Sequence, residues 1–426
     1  MRSNRFRWVY CQLDNLRRCM PSSIPKALNE LPVTLDDTYE RILQNIPKQK
    51  WQHAHRLFQC MVAAIRPLRV EDLAEIFAIG FGSNVASNLV EDWRPENPEE
   101  AVLSACSSLI TIIIDSDVVS DSESDAKSKA EGSKIVQFSH FSVKEYLTSD
   151  RLQTSDMPNI CQFHTPLEPA HTILAQACLA VLLQLEEKMD KDRLAAFPLA
   201  SYAAHNWVDH AKFENVATHI QDAMEHLFNP TKRHLWAWIR IHNIDNCGIS
   251  VDGVPSTLAL HYAVLCGFGG LARHLIVTYA IDVNEPFGGF APLFTASHMG
   301  HVDVSRVLLD YGADANARVG TGAMPLHWAL RNGNLKIVQL LLEHGAIVNA
   351  TDYNIPPLRL ALASGNLEVV RLLLDHGTDV HIRNDEGLTP FQEATRDGHH
   401  DIAQLLLDRS AKREEEEGEG EGRSNK

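Results

Sequence analysis

A glycine recurs through the C-terminal part of the chain at Gly267, Gly300, Gly333, Gly365 and Gly398, with spacings of 33, 33, 32 and 33. The same local text surrounds each one. Met324-Pro325-Leu326-His327-Trp328-Ala329 precedes Gly333, Leu340-Leu341-Leu342 follows it, and Gly345-Ala346 closes the unit. A fixed period of this length constrains the fold more than composition does. Each period is one supersecondary unit that cannot bury its apolar face alone, so neighbours must stack. Five units align, at roughly 253–285, 286–318, 319–350, 351–383 and 384–410.

Within a unit, a turn leads into a helix, a tight bend at the recurring Gly, and a second helix. Pro292, Pro325, Pro357 and Pro390 open the first helix, where a missing N–H costs nothing. The first unit carries Ala259 there. Gly at the bend is free to take positive φ. The hairpin between units also needs a left-handed residue. Gly289, Gly322 and Gly387 supply it in units two, three and five; unit four comes one residue early and carries Asn354. Asn is the next best residue for that conformation, so unit four is expected to keep its turn with positive φ at Asn354. Asp401, Gln404, Asp408 and Arg409 make the last helix polar on one side, as a terminal cap requires. The first unit keeps Leu260-His261-Tyr262-Ala263 but has Ala272-Arg273-His274-Leu275 in its second helix. It is expected to pack on the helical region before it. The period together with the Pro-Leu-His core resembles ankyrin repeats, a resemblance that implies protein recognition rather than catalysis.

The preceding half reads as mainly helical. Thr34 before Leu35-Asp36-Asp37 is an N-cap with acids in the first turn. Tyr39, Ile42, Leu43 and Ile46 fall on one apolar face, and Pro47 ends that helix. A second helix is expected from about Lys48 to Ile65, and a third from Val70. Leu109 to Ile114 is a β-branched run, hence a strand, and Ile135 to His140 is its expected partner. The stretch between them, 115–134, is Ser- and Asp-rich and too polar to order itself. Helices followed by a two-stranded hairpin are the order of a winged helix. Ser120, Ser122 and Ser124 beside acids could be phosphorylated, but a solvated loop is the simpler reading. Leu174, Cys178, Leu179, Leu182 and Leu183 form an apolar stripe, and Trp236, Trp238 and Ile239 read as core. The expected organisation is a helical remnant at 1–30, a winged-helix-like domain at 31–150, a helical linker at 151–250, ankyrin repeats at 251–410 and an acidic, disordered tail at 411–426.

A net charge of −16 argues against general affinity for nucleic acid or anionic membrane. No apolar run approaches the ~20 residues of a membrane helix. Eight scattered cysteines without C-x-x-C spacing read as reduced thiols, which suits a cytoplasmic protein.

The first part also resembles the region that follows the ATPase module in fungal NACHT-type signalling NTPases, the STAND class. The residues are Phe6-Arg7-Trp8, Cys11-Gln12-Leu13-Asp14, Leu31 to Leu43, His140-Phe141-Ser142-Val143-Lys144-Glu145-Tyr146-Leu147 and Tyr202 to His210. The family's nucleotide chemistry does not carry over. A phosphate-cradling loop needs G-x-x-x-x-G-K-[ST]; Gly80-Phe81-Gly82-Ser83 and Gly267-Phe268-Gly269-Gly270 lack the Lys-Ser/Thr. The sequence therefore reads as a fragment of a longer gene or a shortened paralogue.

Other chemistry is weaker. His399-His400-Asp401 is the densest histidine cluster, but His399 matches His301 as the residue after the bend glycine. His261 and His327 sit in the Pro-Leu-His slot, where a structural hydrogen bond is expected. Ser139, His140 and Ser142 lack the glycine elbow of a nucleophile and read as a strand–helix junction. A DNA-reading wing would be basic, whereas Lys127, Lys129, Lys134 and Lys144 face six acids between Asp115 and Glu131.

The resulting expectation is a non-enzymatic interaction protein with no cofactor, no metal, no nucleic-acid or membrane partner and no inferred small-molecule substrate. Its protein partner is expected at the hairpin tips and first helices. The tip residues are Phe287, Gly288 and Phe290; Gly320, Thr321 and Ala323; Asp352, Tyr353 and Ile355; Asp385, Glu386 and Leu388. The helix residues are His298, Met299, Arg331, Asn332, Ser364, Arg396 and Asp397. Residues 253–409 hold 16 Asp and Glu against 10 Lys and Arg, which favours a neutral or basic partner. The alternative is the sensor and regulatory half of a STAND NTPase.

Overall fold

A computed structural model of the chain describes residues 34–81, 87–115, 133–155, 157–185, 191–242, 257–318, 322–351, 355–384 and 386–411. The expected remnant at 1–30, the serines at 120–124, Asn354 and the tail from 412 lie outside these residues. The chain divides into two compact units, Met1–Asn246 and Cys247–Lys426, each described by itself.

In the first unit, α1 (Leu35–Gln44) opens on a reciprocal cap. Thr34 Oγ1 accepts from the Asp37 N–H and the Asp37 carboxylate accepts from the Thr34 N–H, both at 3.0 Å. Such a cap contributes about 1 kcal/mol. Tyr39, Ile42, Leu43 and Ile46 are all buried, as their spacing predicts. α2 (Trp51–Ala63) follows a 3-10 turn at Lys48–Lys50, and α3 (Val70–Phe77) starts where expected. After the short ladder of β2 (Ile79–Gly80) with β3 (Asn88–Leu89) comes α4 (Pro98–Cys106). β4 (Ile110–Asp115) then pairs antiparallel with β5 (Ser133–Phe138), Ile112 opposite Val136.

Two details differ from the sequence reading. The sheet has three strands, not two: β1 (Leu68–Arg69), between α2 and α3, pairs with the free side of β5, giving the order β1-β5-β4. Two residues carry no period, so this strand was invisible. The expected wing is also narrower at its base. Asp115, Ser133 and Lys134 belong to the ladder, which leaves 116–132 outside the described residues.

His140 caps α5 (Phe141–Leu147): its Nδ1 accepts from the Ser142 N–H, the junction role expected for this pair. Ser142 Oγ also bonds Tyr39 Oη of α1 at 2.8 Å. α6 (Leu167–Leu182) buries Leu174, Cys178, Leu179 and Leu182 and packs against both α2 and α7 (Ala200–Ala211). The stretches expected as 31–150 and 151–250 thus share one compact unit. Trp207 of α7 meets Trp238 of α8 (His234–His242) edge-on at 5.3 Å, and both indoles are fully buried. Buried carboxylates in this unit are held by arginines. Arg69 clamps Asp72 through Nε and Nη2, and Arg94 meets Glu75 at 2.6 Å. Unpaired, each buried carboxylate would cost several kcal/mol.

The second unit is a stack of helix pairs: α9 (Thr257–Cys266) with α10 (Gly269–Tyr279), α11 (Pro292–Met299) with α12 (Val302–Asp310), α13 (Pro325–Arg331) with α14 (Leu335–Glu343), α15 (Pro357–Ser364) with α16 (Leu367–Asp375), and α17 (Pro390–Arg396) with α18 (400–411). The five bend glycines take φ from +64° to +84°, and the hairpin glycines Gly289, Gly322 and Gly387 take +85°, +88° and +78°. First helices pack on first helices and second on second along the stack. Asp401, Gln404 and Asp408 are exposed, as expected of a cap.

The units are also tied by a side-chain ladder that sequence reasoning missed. Asn284 Nδ2 donates to Gly312 O and its Oδ1 accepts from Asp314 N–H, both in the next unit. Asn316 does the same with Gly345 and Ile347, and Asn349 with Gly377 and Asp379. The signal was present as Asn at spacings of 32 and 33. At the bends, His301 Nε2 reaches back to Leu265 O at 3.1 Å and its ring covers Gly267. The His399 ring covers Gly365 in the same way. These contacts give both histidines a structural role. His327 fills its slot similarly, accepting from Met324 N–H at Nδ1 and donating from Nε2 to Ala350 O.

Candidate protein-binding surface

Unit two ends its hairpin in Phe287-Gly288-Gly289-Phe290. The two phenylalanines exchange backbone hydrogen bonds at 3.1 Å, and both glycines have positive φ. A two-residue turn with two left-handed residues matches the strand twist, and only Gly adopts it without strain. It pushes Phe290 outward, 46% exposed, while Phe287 leans on His261 of unit one with ring centroids 4.7 Å apart.

From Phe290 an aromatic row runs across two units. Phe290 stacks on buried Phe294 at 5.5 Å, and Phe294 meets the edge of Trp328 in unit three at 6.0 Å. Trp328 is half-buried. His298 lies edge-on to it at 4.4 Å, and the Arg331 guanidinium stands 5.3 Å from its ring centre. An arginine over an indole is worth about 0.5–1 kcal/mol at an exposed site and holds the cation in a defined place. Asn332 Nδ2 donates to His298 O, fastening the first helices of units two and three beneath the row. Met299 is exposed at the end of α11.

Of the residues expected at the surface, Phe287, Phe290, His298, Arg331 and Asn332 therefore come together in units two and three. Trp328, which was not among them, is the hinge of the cluster. Its place in the Pro-Leu-His-Trp motif was visible, but a motif shared for stacking does not mark which of its residues reaches the surface. Ala323 is buried beneath Phe294 and Trp328 and so cannot touch a partner; the small side chain is what lets the rings close over it. Ile355 and Leu388 are half-buried. Ser364 is exposed, with Oγ donating to Ala361 O within its own helix. Unit five makes a separate charged patch in which Arg396 bridges Glu386 and Asp397. Gly320, Thr321, Asp352, Tyr353 and Asp385 lie outside the described residues.

The ankyrin-repeat family model matches the chain three times, over residues 260–352, 317–384 and 351–417. The C-terminal region is an array of ankyrin repeats. This bears out the reading of the period, and ankyrin repeats are interaction modules. The chain is 30% identical over 309 residues to the azaphilone pigments biosynthesis cluster protein L of Monascus ruber, across 67% of this chain and 61% of that protein. That share exceeds the C-terminal unit, so the likeness extends into the N-terminal one. Shorter matches are 41% identical: the regulatory protein NPR5 of Arabidopsis thaliana over 81 residues, 18% of this chain and 16% of that one, and the mouse ankyrin repeat and SOCS box protein 16 over 71 residues, 17% and 16%. The chain thus spans about three-fifths of the first relative and a small part of the others. Among the described residues no helix is long and apolar enough to cross a membrane.

Proposed function

We infer that this chain is a non-catalytic, cytoplasmic interaction protein whose ankyrin array holds a protein partner on its hairpin tips and first helices. The carrying observation is the row Phe290–Phe294–Trp328–Arg331. Phe290 and Trp328, seated on buried Phe294, offer rigid aromatic area beside the positioned Arg331 cation, and aromatic and arginine side chains are what interface hot spots favour. The mild acidity of the array favours a neutral or basic partner. The residues offered to it are Phe287, Phe290, His298, Met299, Arg331 and Asn332, with Thr321, Asp352, Tyr353, Ile355, Ser364, Asp385, Glu386, Arg396 and Asp397 as the outer contacts. The reading includes no cofactor, metal, nucleic acid or membrane. The test is quantitative capture from native extract by the full chain. Phe290→Ala with Arg331→Ala, both at exposed positions, should reduce recovery of the specific partner about tenfold or more. Unchanged recovery by a variant with a normal melting curve would reject this surface.

A second reading, the sensor half of a STAND switch, has one structural support. The order α2, β1, α3, β2, β3, α4, β4, β5, with a β1-β5-β4 sheet, supports the winged-helix arrangement that the resemblance implies. A reading frame upstream encoding G-x-x-x-x-G-K-[ST] would favour it. ATP binding by the isolated chain would contradict the inference that nucleotide chemistry is absent from it.

A further inference from the structure

The N-terminal unit contains a cleft of about 630 Å³ that the interaction reading does not use. Its walls come from α2, the end of α3 with β2, and α4. Three observations set its chemistry. First, Arg56 is half-buried on its wall, with the guanidinium 4.2 Å over the Phe81 ring and Nη1 donating to Ile79 O at 3.4 Å. Lys50 lies on the same wall. Second, among the described residues no carboxylate is on the lining and Arg56 makes no ion pair. This contrasts with the same unit's buried Asp72 and Glu75, each matched to an arginine. Third, flat apolar surface surrounds the cation. Phe77, Phe81 and Trp93 line the cleft, and Trp93 is 59% exposed.

A half-buried cation without a counter-ion is an unfavourable arrangement that a bound anion relieves. Burial lowers the Arg56 pKa from its ordinary value, which shows the desolvation already incurred. The Trp93 indole, 59% exposed in the concavity, adds open apolar surface. The volume falls within the range of about 300–1,000 Å³ typical of small-ligand sites.

We propose that this cleft binds a planar organic anion, its charged group meeting Arg56 and Lys50 and its flat body lying against Phe77, Phe81 and Trp93. The full chain is titrated calorimetrically with 2-naphthoate and with uncharged 2-naphthamide. Naphthoate should bind saturably at one site per chain, and the amide about tenfold more weakly, since charge-assisted hydrogen bonds are roughly twice as strong as neutral ones. Arg56→Gln and Trp93→Ala should each weaken naphthoate by about tenfold or more. Arg56 packs on Phe81 and its variant can lose fold; the exposed Trp93 keeps the test decisive in a chain with unaltered circular dichroism. No saturable heat to millimolar ligand, or equal affinity in Trp93→Ala, overturns the proposal. Displacement of naphthoate by a hexaglutamate peptide at equal concentration also overturns it, by assigning the cleft to acidic peptides.

Discussion

Ala280 shows what the repeat demands of single residues. It ends α10 with φ +50°, where units two, three and four end their second helices in Gly312, Gly345 and Gly377 at +87°, +80° and +85°. A left-handed conformation costs a Cβ-bearing residue about 1 kcal/mol that glycine does not bear. Ala280 is exposed, so the methyl group makes no compensating packing contact. Ala280→Gly should therefore stabilise the array, offset partly by the added freedom of the unfolded chain. The net gain should be about 0.5 kcal/mol in denaturant unfolding, and a loss would mean that the methyl group contributes packing after all. The glycines themselves were legible in the sequence, because positive φ leaves one good choice. Ala280 was not, because an alanine carries no mark of its backbone. Gly267 adds a second constraint: a Cβ there would lie 2.9 Å from the His301 ring.

Among elements, legibility followed the strength of the period. α1 was readable from its cap and its four-residue face, and β4 and β5 from β-branching. β1 was not, since a two-residue strand is defined by its partner rather than by its own text. The joining of α6 to α2 was also hidden, because an apolar stripe says that a helix is buried but not against what. The neighbouring joint of α6 with α7 carries a titratable core. Tyr202 Oη of α7 accepts from Ile65 N–H and shares a hydrogen bond of 2.9 Å with His210 Nε2, and His210 Nδ1 meets His171 Nδ1 of α6 at 2.9 Å. Burial, and then the His171 charge, push the His210 pKa down to about 3 from 6.5. The unfolded chain thus takes up a proton below pH 6.5 that the folded one refuses until about pH 3. This contribution to stability is complete above pH 6.5. It drains as pH falls, by at most about 1.4 kcal/mol per pH unit. Urea midpoints for the wild type should fall between pH 6.5 and 5, and His210→Gln should show a shallower fall. Glu75, whose carboxyl burial raises, titrates in both chains and leaves the comparison intact. Parallel curves would mean that His210 is not the group responsible.

For the whole molecule, the sequence disclosed the kind of C-terminal architecture but not the surface it exposes. Periodicity marks what every unit shares, whereas the aromatic row depends on Phe290, Phe294 and Trp328, which only units two and three supply. That Arg56 makes no ion pair among the described residues was equally hidden, since pairing is a property of neighbours in space. The stack has a further consequence. Each unit touches only its neighbours, so its stability should be a sum of nearest-neighbour terms. Ending the chain after Arg383 removes α17 and α18, and with them the Arg359–Glu393 and Arg409–Asp375 ion pairs. It also uncovers apolar surface on α15 and α16, each of which packs on a unit-five helix or is tied to it by one of these pairs. Hydrogen exchange should then quicken in a graded way. Amides of Leu367–Asp375 should exchange about ten- to a hundredfold faster, those of Leu335–Glu343 less, and those of Gly269–Tyr279 least. Equal acceleration in all three helices would mean that the array opens as one cooperative block, with coupling that extends beyond adjacent units.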